Sequence, residues 1–390
     1  MKKIFIEKIS YSNLCIHVDI EISGNKESLI VNVNDTCIPY LTTDRIDAVV
    51  VGFLYFAMKQ GYDFESTLPM TRDLWYNIVY HFIPGLAMGN PHLYKPSINC
   101  PLVDALDPHT KKYNATGISC GVDSLYTIAT NISEDIPIEN RLNALCFFNV
   151  GAAMKGGGEL RTSLIQGRLN HAQSFATEYD FPFFFLESNI HLLIDKYGGY
   201  SHVDNNGYMA LFCILFIQKG IKQYHYSSGY SILDFCINNP DNKELDSEHY
   251  DILTFGLITV SGMTWYSEGA DKSRQDKVKT LVKWPPSYKY LNVCVDKPDN
   301  CGVCFKCIRT LLNIDAVGNI DDYKEVFDVE FYKKNRKFYL RRLYIAAALK
   351  HDFFMSEIYP YFEKEMTIWF KLWCIWTIIK NKITHNREII

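Results

Sequence analysis

Four cysteines at positions 294, 301, 304 and 307, spaced C-x6-C-x2-C-x2-C, constrain the fold of this 390-residue chain more tightly than any other feature. Each C-x2-C step lets a tight knuckle turn two thiolates inward, and four thiolates complete a closed tetrahedral shell around Zn²⁺. The chain carries 12 cysteines, and a third of them fall in this one short segment. Lys297, Lys306 and Arg309 would partly balance the negative charge of a four-thiolate zinc centre. Ferredoxin-type iron–sulfur sites share the C-x2-C-x2-C spacing, but no Cys-Pro follows three residues later here; buried cysteines without a metal are the remaining alternative. A closed site leaves no open coordination position, so the role expected of it is structural.

The other cysteines are read through the compartment. The start, MKKIFIEKIS, meets Glu7 and Lys8 before a secretory hydrophobic core could form, which predicts a cytoplasmic protein. In a reducing compartment cysteines serve as metal ligands, catalytic thiols or small core residues rather than disulfides. Forty basic against 44 acidic residues give a net charge of −4, so no global basic field invites nucleic acid.

Periodicity divides the chain. Residues 1–35 alternate at period two, with Ile16, Val18, Ile20 and Ile22 facing one way, His17, Asp19 and Glu21 the other, and Ser23-Gly24-Asn25 as a turn. Helices are expected over 44–60 and 71–88, giving a small α+β unit over 1–90. Pro91, Pro96, Pro101 and Pro108 then mark 91–112 as a surface linker. From 113 the pattern becomes short apolar runs, at 113–119, 142–149, 181–187 and 223–227, alternating with amphipathic stretches. That alternation predicts an α/β domain over 113–320, a doubly wound, mostly parallel sheet with the zinc knuckle at 294–307 near its C-terminal end. Residues 321–390 read as a helical tail. Its run MTIWFKLWCIWTIIK is shorter than the roughly 20 apolar residues of a membrane span and is interrupted by Lys371, so no transmembrane segment is expected.

In a parallel sheet, ligands bind beyond the carboxyl ends of the strands. The first strand of the main domain runs into Ser119-Cys120-Gly121-Val122-Asp123-Ser124 and then directly into a helix. Glycine and small hydroxyls there permit close approach to an anion, and the N–H groups and dipole at the helix start favour phosphate. A carboxylate among phosphates needs a cation between them, which points to Mg²⁺ beside Asp123. A capped helix after a tight turn would look the same.

This segment resembles the S-G-G-x-D-S pyrophosphate loop of the ATP pyrophosphatase (PP-loop) superfamily, which includes GMP synthetases, asparagine synthetases, tRNA thiolases and 7-cyano-7-deazaguanine synthase. The cysteine segment Cys301-Gly302-Val303-Cys304-Phe305-Lys306-Cys307 is similar to the C-terminal zinc knuckle of the 7-cyano-7-deazaguanine synthase branch, with Arg309 close to an arginine found there after the last cysteine. The resemblance covers about residues 113–320. It implies ATP and Mg²⁺ as cofactors with structural Zn²⁺, cleavage of ATP to AMP and pyrophosphate, and pyrophosphate contacts from Ser119, Gly121, Val122 and Ser124. Asp123 would bind Mg²⁺. Cys120 departs from the pattern, standing where the family usually has glycine. It could be a tolerated small residue at negative φ, an obstacle to nucleotide at positive φ, or a reactive thiol.

Other polar residues extend the candidate site. Phe148 and Asn149, at the end of the second strand, could line an adenine pocket, and Lys155 with Gly156 to Gly158 a lid; a plain solvent loop is the alternative. Arg274 and Lys277, on a helix start capped by Ser273, match a place where similar synthases carry a lysine that neutralises the leaving pyrophosphate. His202, Asp204, Asn205 and Asn206 form a turn before a helix expected to start near Gly207 and could face the acceptor. Lys333, Lys334, Arg336, Lys337, Arg341 and Arg342 make the strongest basic cluster, a route to RNA or an anionic partner, or a solvated helix face.

The function expected is adenylation of a carboxylate or amide oxygen followed by nitrogen attack, with Asp123, Ser124, Arg274 and Lys277 as the catalytic set. The acceptor would be a small molecule or a protein bearing a carboxylate. Partner proteins of a multi-gene system, such as bacterial antiviral defence, and a homodimer are compatible with it. Sulfur transfer to a tRNA base, with Cys120 as carrier, and a non-catalytic nucleotide-binding or partner subunit are the alternatives.

Overall fold

The N-terminal alternation folds as a meander. In the computed structural model, which describes residues 2–152, 158–232 and 250–383 (158–161 and 381–383 for their backbone only), β1 (Lys2–Ser12), β2 (Cys15–Ile22) and β3 (Asn25–Val33) pair antiparallel. Ile16, Val18, Ile20 and Ile22 are all buried, as the period-two reading requires. Ser23 and Gly24 both take positive φ, 52° and 83°, the two-residue turn whose twist matches that of the strands.

β4 (Tyr62–Ser66) adds to β1 in parallel, and β6 (Ile98–Asn99) adds to β4 at the edge; β5 (Met70–Thr71) and β7 (Leu102–Val103) make a separate pair. The remaining strands are β8 (Tyr113–Gly117), β9 (Ala144–Asn149), β10 (Phe183–Ser188), β11 (Ile221–Ser227) and β12 (Thr264–Glu268). All but β5 and β7 belong to one ten-stranded sheet in the order β12-β11-β8-β9-β10-β3-β2-β1-β4-β6. Six of its nine pairings are parallel, so the α/β class with a mostly parallel sheet holds. The parallel part starts at β8 in its middle, adds β9 and β10 on one side and β11 and β12 on the other. The carboxyl end of β8 therefore lies where the strand order reverses, the place at which such sheets bind ligands.

Two expected boundaries are corrected. Residues 1–90 are not a separate unit, because β3 pairs antiparallel with β10, Leu186 opposite Val33; a strand edge left open by the local meander takes its hydrogen bonds from a strand about 150 residues later. The stretch 91–112 supplies β6 and β7 rather than a bare linker. The chain divides instead into two compact units, one of Met1–Ser119, Thr127–Arg161 and Ala172–Asp271, the other of Cys120–Tyr126, Thr162–His171 and Lys272–Ile390. The cysteine segment and the tail thus belong to one unit, with no division at 320.

In the first unit, α1 (Asp47–Gln60) is followed by α2 (Arg72–Asn77) and α3 (Ile83–Gly89), joined by a π-helical turn at Ile78–Phe82. Pro84 lacks an N–H and its ring would clash with the carbonyl four residues back, so the helix expected over 71–88 widens there instead of continuing as α. α4 (Val122–Asn131) and α5 (Gly158–Glu178) pass through both units; α6 (Ile190–Gly198), α7 (His202–Phe216) and α8 (Asp251–Thr254) lie in the first. α1 packs on α6 and α7 at Gly52, where a Cβ would stand 2.6 Å from Ile190 and 2.7 Å from Phe212.

The second unit is helical. α9 (Arg274–Leu281) and α10 (Pro286–Tyr290) precede the cysteine segment, and α11 (Phe305–Ala316) leaves it. Then come α12 (Val329–Lys334), α13 (Arg336–Tyr344), α14 (Phe353–Phe362) and α15 (Ile368–Ile383). α11 packs against α9, α13 and α14, burying Ile308, Leu311, Leu312 and Ile314 at its centre.

Candidate functional site

The loop after β8 turns on the residue that departs from the resembled motif. Cys120 has φ +57°, the left-handed region in which a Cβ costs about 1–2 kcal/mol and glycine nothing. The structure thus takes the positive-φ alternative of the sequence reading, the one in which this side chain would obstruct a nucleotide, although the side chain itself is fully buried. Cys120 is fully buried, and burial pushes its thiol up to about 12. It is a neutral, inaccessible thiol at physiological pH, which speaks against a persulfide carrier. Its carbonyl accepts from Asn292 N–H at 2.8 Å, and α4 begins at once, Leu125 N–H donating to Gly121 O at 3.0 Å. Ser119 is exposed, Val122 and Ser124 are buried, and Ser124 Oγ donates to Gly121 O at 3.2 Å.

Asp123, in the first turn of α4, gathers residues from far along the chain. Its Oδ2 lies 3.0 Å from Arg274 Nη2 and its Oδ1 3.0 Å from Lys277 Nζ. Both partners stand on the first turn of α9, where Ser273 Oγ caps the helix by accepting from Asp276 N–H at 3.2 Å. Lys277 is almost wholly buried, with 2% of its side chain exposed. Burial would raise the Asp123 carboxyl, but the charges of Arg274 and Lys277, the Lys277 hydrogen bond and the charge of Arg309 overcome it and hold the group below the usual carboxylate range.

More cations surround this fork. Arg309 on α11 and Arg274 share the ring of Phe354, their guanidinium carbons 4.3 and 5.6 Å from its centre. Burial, then the neighbouring charge of Arg274, pushes Arg309 down to about 10, although Asp123, Asp352 and Glu357 pull it the other way. Lys306 is pushed down to about 8 by burial and by Arg309, Arg274 and Arg168. Cations gathered this closely form a place where an added anion is stabilised.

The four cysteines meet as their spacing predicts. Their sulfurs all lie within 4.8 Å of one another, with Cys294 to Cys304 at 3.9 Å and Cys301 to Cys307 at 4.0 Å. Four sulfurs about 2.3 Å from a tetrahedral Zn²⁺ stand about 3.8 Å apart, so the donor set fits that ion. Backbone N–H groups of Lys297 and Cys304 point at Cys294 and Cys301 sulfur at 3.3 and 3.2 Å, as thiolates require. Gly302, at φ +72°, supplies the left-handed turn between the second and third ligands. The knuckle is tied to the loop: Asn292, which holds the Cys120 carbonyl, also donates from Nδ2 to Pro298 O at 2.6 Å, and Arg168 donates to Cys294 O at 2.9 Å. Neither Asn292 nor Arg168 carries a sequence signal of this role, which arises from long-range contact alone.

In the first unit, the carboxyl ends of the parallel strands carry polar groups of their own. Phe148 packs on Tyr224, and Asn149 donates to the Glu187 carboxylate. His225 Nδ1 lies 2.6 Å from Glu268 Oε1, while its buried Nε2 has no hydrogen-bond partner among the described residues; sequence reasoning missed this pair because no local motif marks it. The helix expected near Gly207 begins earlier, at His202, because Ser201 Oγ caps it. Asp204 pairs with Lys59 at 2.6 Å, Asn206 donates to Tyr226 OH at 2.9 Å, and Asp204 and Asn205 line a cavity of about 230 Å³ with Lys59, Asp195 and Tyr200. Lys155 lies outside the described residues.

In the second unit two of the six residues of the basic cluster are engaged in internal ion pairs. Lys333 bonds Asp321, and Arg336 bonds Asp315 and Glu365. Among the described residues no helix is long and apolar enough to cross a membrane. Compared with family models, curated proteins and solved structures, the chain matches none.

Proposed function

We propose that this protein binds ATP through the Cys120–Ser124 loop and cleaves it to AMP and pyrophosphate, transferring the adenylate to a carboxylate or amide oxygen. The observation that carries this reading is the convergence of Arg274 and Lys277 on Asp123, 154 residues from Lys277, at the start of a helix that follows the central strand of the sheet. The acceptor oxygen attacks the α-phosphorus, the bond to the β-phosphate oxygen breaks, and pyrophosphate leaves with the electron pair. A nitrogen nucleophile then attacks the activated carbon and AMP departs.

The residues of this chain act on charge. The positive end of the α4 dipole would favour the phosphates, and Arg274, Lys277 and Arg309 supply fixed positive charge to the leaving pyrophosphate. Each Asp123 oxygen meets a cation, so in this arrangement the carboxylate fixes Arg274 and Lys277. The four-cysteine group, where zinc would be held by Cys294, Cys301, Cys304 and Cys307, supplies a rigid anchor for the loop through Asn292.

The test is titration of zinc-loaded protein with ATP·Mg²⁺, then analysis of products with a panel of carboxylates and ammonia. Binding followed by AMP and pyrophosphate is expected. ADP and phosphate, or no nucleotide binding by a folded sample, would refute the proposal.

A further inference from the structure

Helix α15 presents an apolar face that nothing among the described residues covers. Cys374 is buried, whereas Ile368, Trp369, Leu372, Trp373, Trp376 and Ile379 are exposed, Trp369 by 77% and Trp376 by 56%. Steps of three and four residues put Trp369, Leu372, Trp373, Trp376 and Ile379 on one side of the helix. At the border of this face the helix is held within the second unit, where Arg341 of α13 donates to Thr377 Oγ1 at 3.1 Å.

The charges beside this face have one sign. Between Glu365 and Glu388 the sequence has four Lys or Arg and no acid. Lys380 stands 5.3 Å over the Trp376 ring, and Arg341 lies 6.0 Å from that of Trp373. The nearest acids before the helix are engaged, Glu363 by Lys371 and Glu365 by Arg336. A second copy of the helix laid on this face would bring like charges together with no carboxylate on the face to meet them. Tryptophans flanked by cations fit instead the boundary between headgroups and acyl chains, and a helix of sixteen residues lies in that plane rather than crossing it.

We propose that α15 docks this protein, in plane, on an anionic phospholipid surface, its tryptophans inserted and Lys380 and Arg341 at the headgroups. Each cation near such a surface favours partitioning about fivefold, so the two together should favour anionic over neutral vesicles about twenty-five-fold.

Flotation of the full chain with phosphatidylcholine vesicles, with and without phosphatidylglycerol, tests this. Binding to the anionic vesicles with a blue shift of tryptophan emission is expected. Lys380→Glu should cut the anionic preference at least about fivefold. The double substitution Trp369→Glu, Trp376→Glu should abolish flotation while zinc content and far-ultraviolet circular dichroism stay unchanged, since both side chains are exposed. No flotation with anionic vesicles, undiminished flotation of the double variant, or a blue shift that follows protein concentration without lipid, the signature of a second copy, would each overturn the proposal.

Discussion

Asp123→Asn removes one charge and leaves the shape of the site nearly intact, so it isolates the electrostatics of the fork. Lys277 would keep an ammonium that is 98% buried, with its anion gone. Removing one partner of a buried pair costs about 3–5 kcal/mol. The remaining amide oxygen can accept from one of the two cations, and a hydrogen bond to a charged group returns about 1.5–3 kcal/mol. A net loss of about 2 kcal/mol is expected. Lys277→Met should cost less, because Asp123 keeps Arg274 at 3.0 Å and more than a fifth of its side chain reaches solvent. The double variant has neither the orphaned ammonium nor the carboxylate, so it should be more stable than the sum of the single losses by at least about 1 kcal/mol, beyond the roughly 0.5 kcal/mol of unlinked sites. Urea unfolding of zinc-loaded wild type and the three variants measures this cycle. The carboxyl is held below its usual range, so its contribution is present above about pH 4 and disappears as pH falls through the folded-state value. Asp123→Asn should flatten that part of the acid limb. Additive single losses, or an Asp123→Asn loss under about 0.5 kcal/mol, would refute the reading of the fork as a coupled buried unit.

Lys111 in the first unit gives a base-side test. Burial pushes it down to about 8, with the Asp73 charge opposing and the Arg45 charge assisting, while its Nζ donates to Ser261 O at 2.7 Å. The unfolded chain therefore holds this proton up to about pH 10.4, and stability should rise from pH 8 to 10 and lose that rise in Lys111→Met, read from urea midpoints across pH. Mass spectrometry under native conditions should find one zinc per chain, and Cys304→Ser should lose it and lower the melting temperature by several degrees, on the order of 2–4 °C per kcal/mol at this size. The Cys120 thiol should resist iodoacetamide in the folded protein and react only after unfolding, followed by peptide mass spectrometry; rapid labelling of the native chain would contradict its burial.

What could be read from residues in order was local. Period two at Ile16, Val18, Ile20 and Ile22 fixed the first strands, and the alternation from 113 to 227 fixed the parallel ones, because side-chain spacing alone decides which face is buried. The cysteine spacing likewise implied its own cluster, since a C-x2-C turn needs no distant partner. The sequence also marked Arg274 and Lys277 as charges on a capped helix start, but not that both would close on Asp123.

Long-range choices were left to the tertiary structure. The pairing of β3 with β10 joined residues 1–33 to the main sheet, because an open strand edge specifies no partner by its composition. Burial, not type, made Cys120 an inert thiol, and the turn after β8 holds it at positive φ, where glycine would be expected. By itself the sequence determined the elements, the four-cysteine knuckle and the helix-start loop, all set by spacings of a few residues. Only the fold decided that Asp123 meets two cations and that the knuckle holds the loop through Asn292, because a charge acts through distance in space and that distance exists only once the chain has packed.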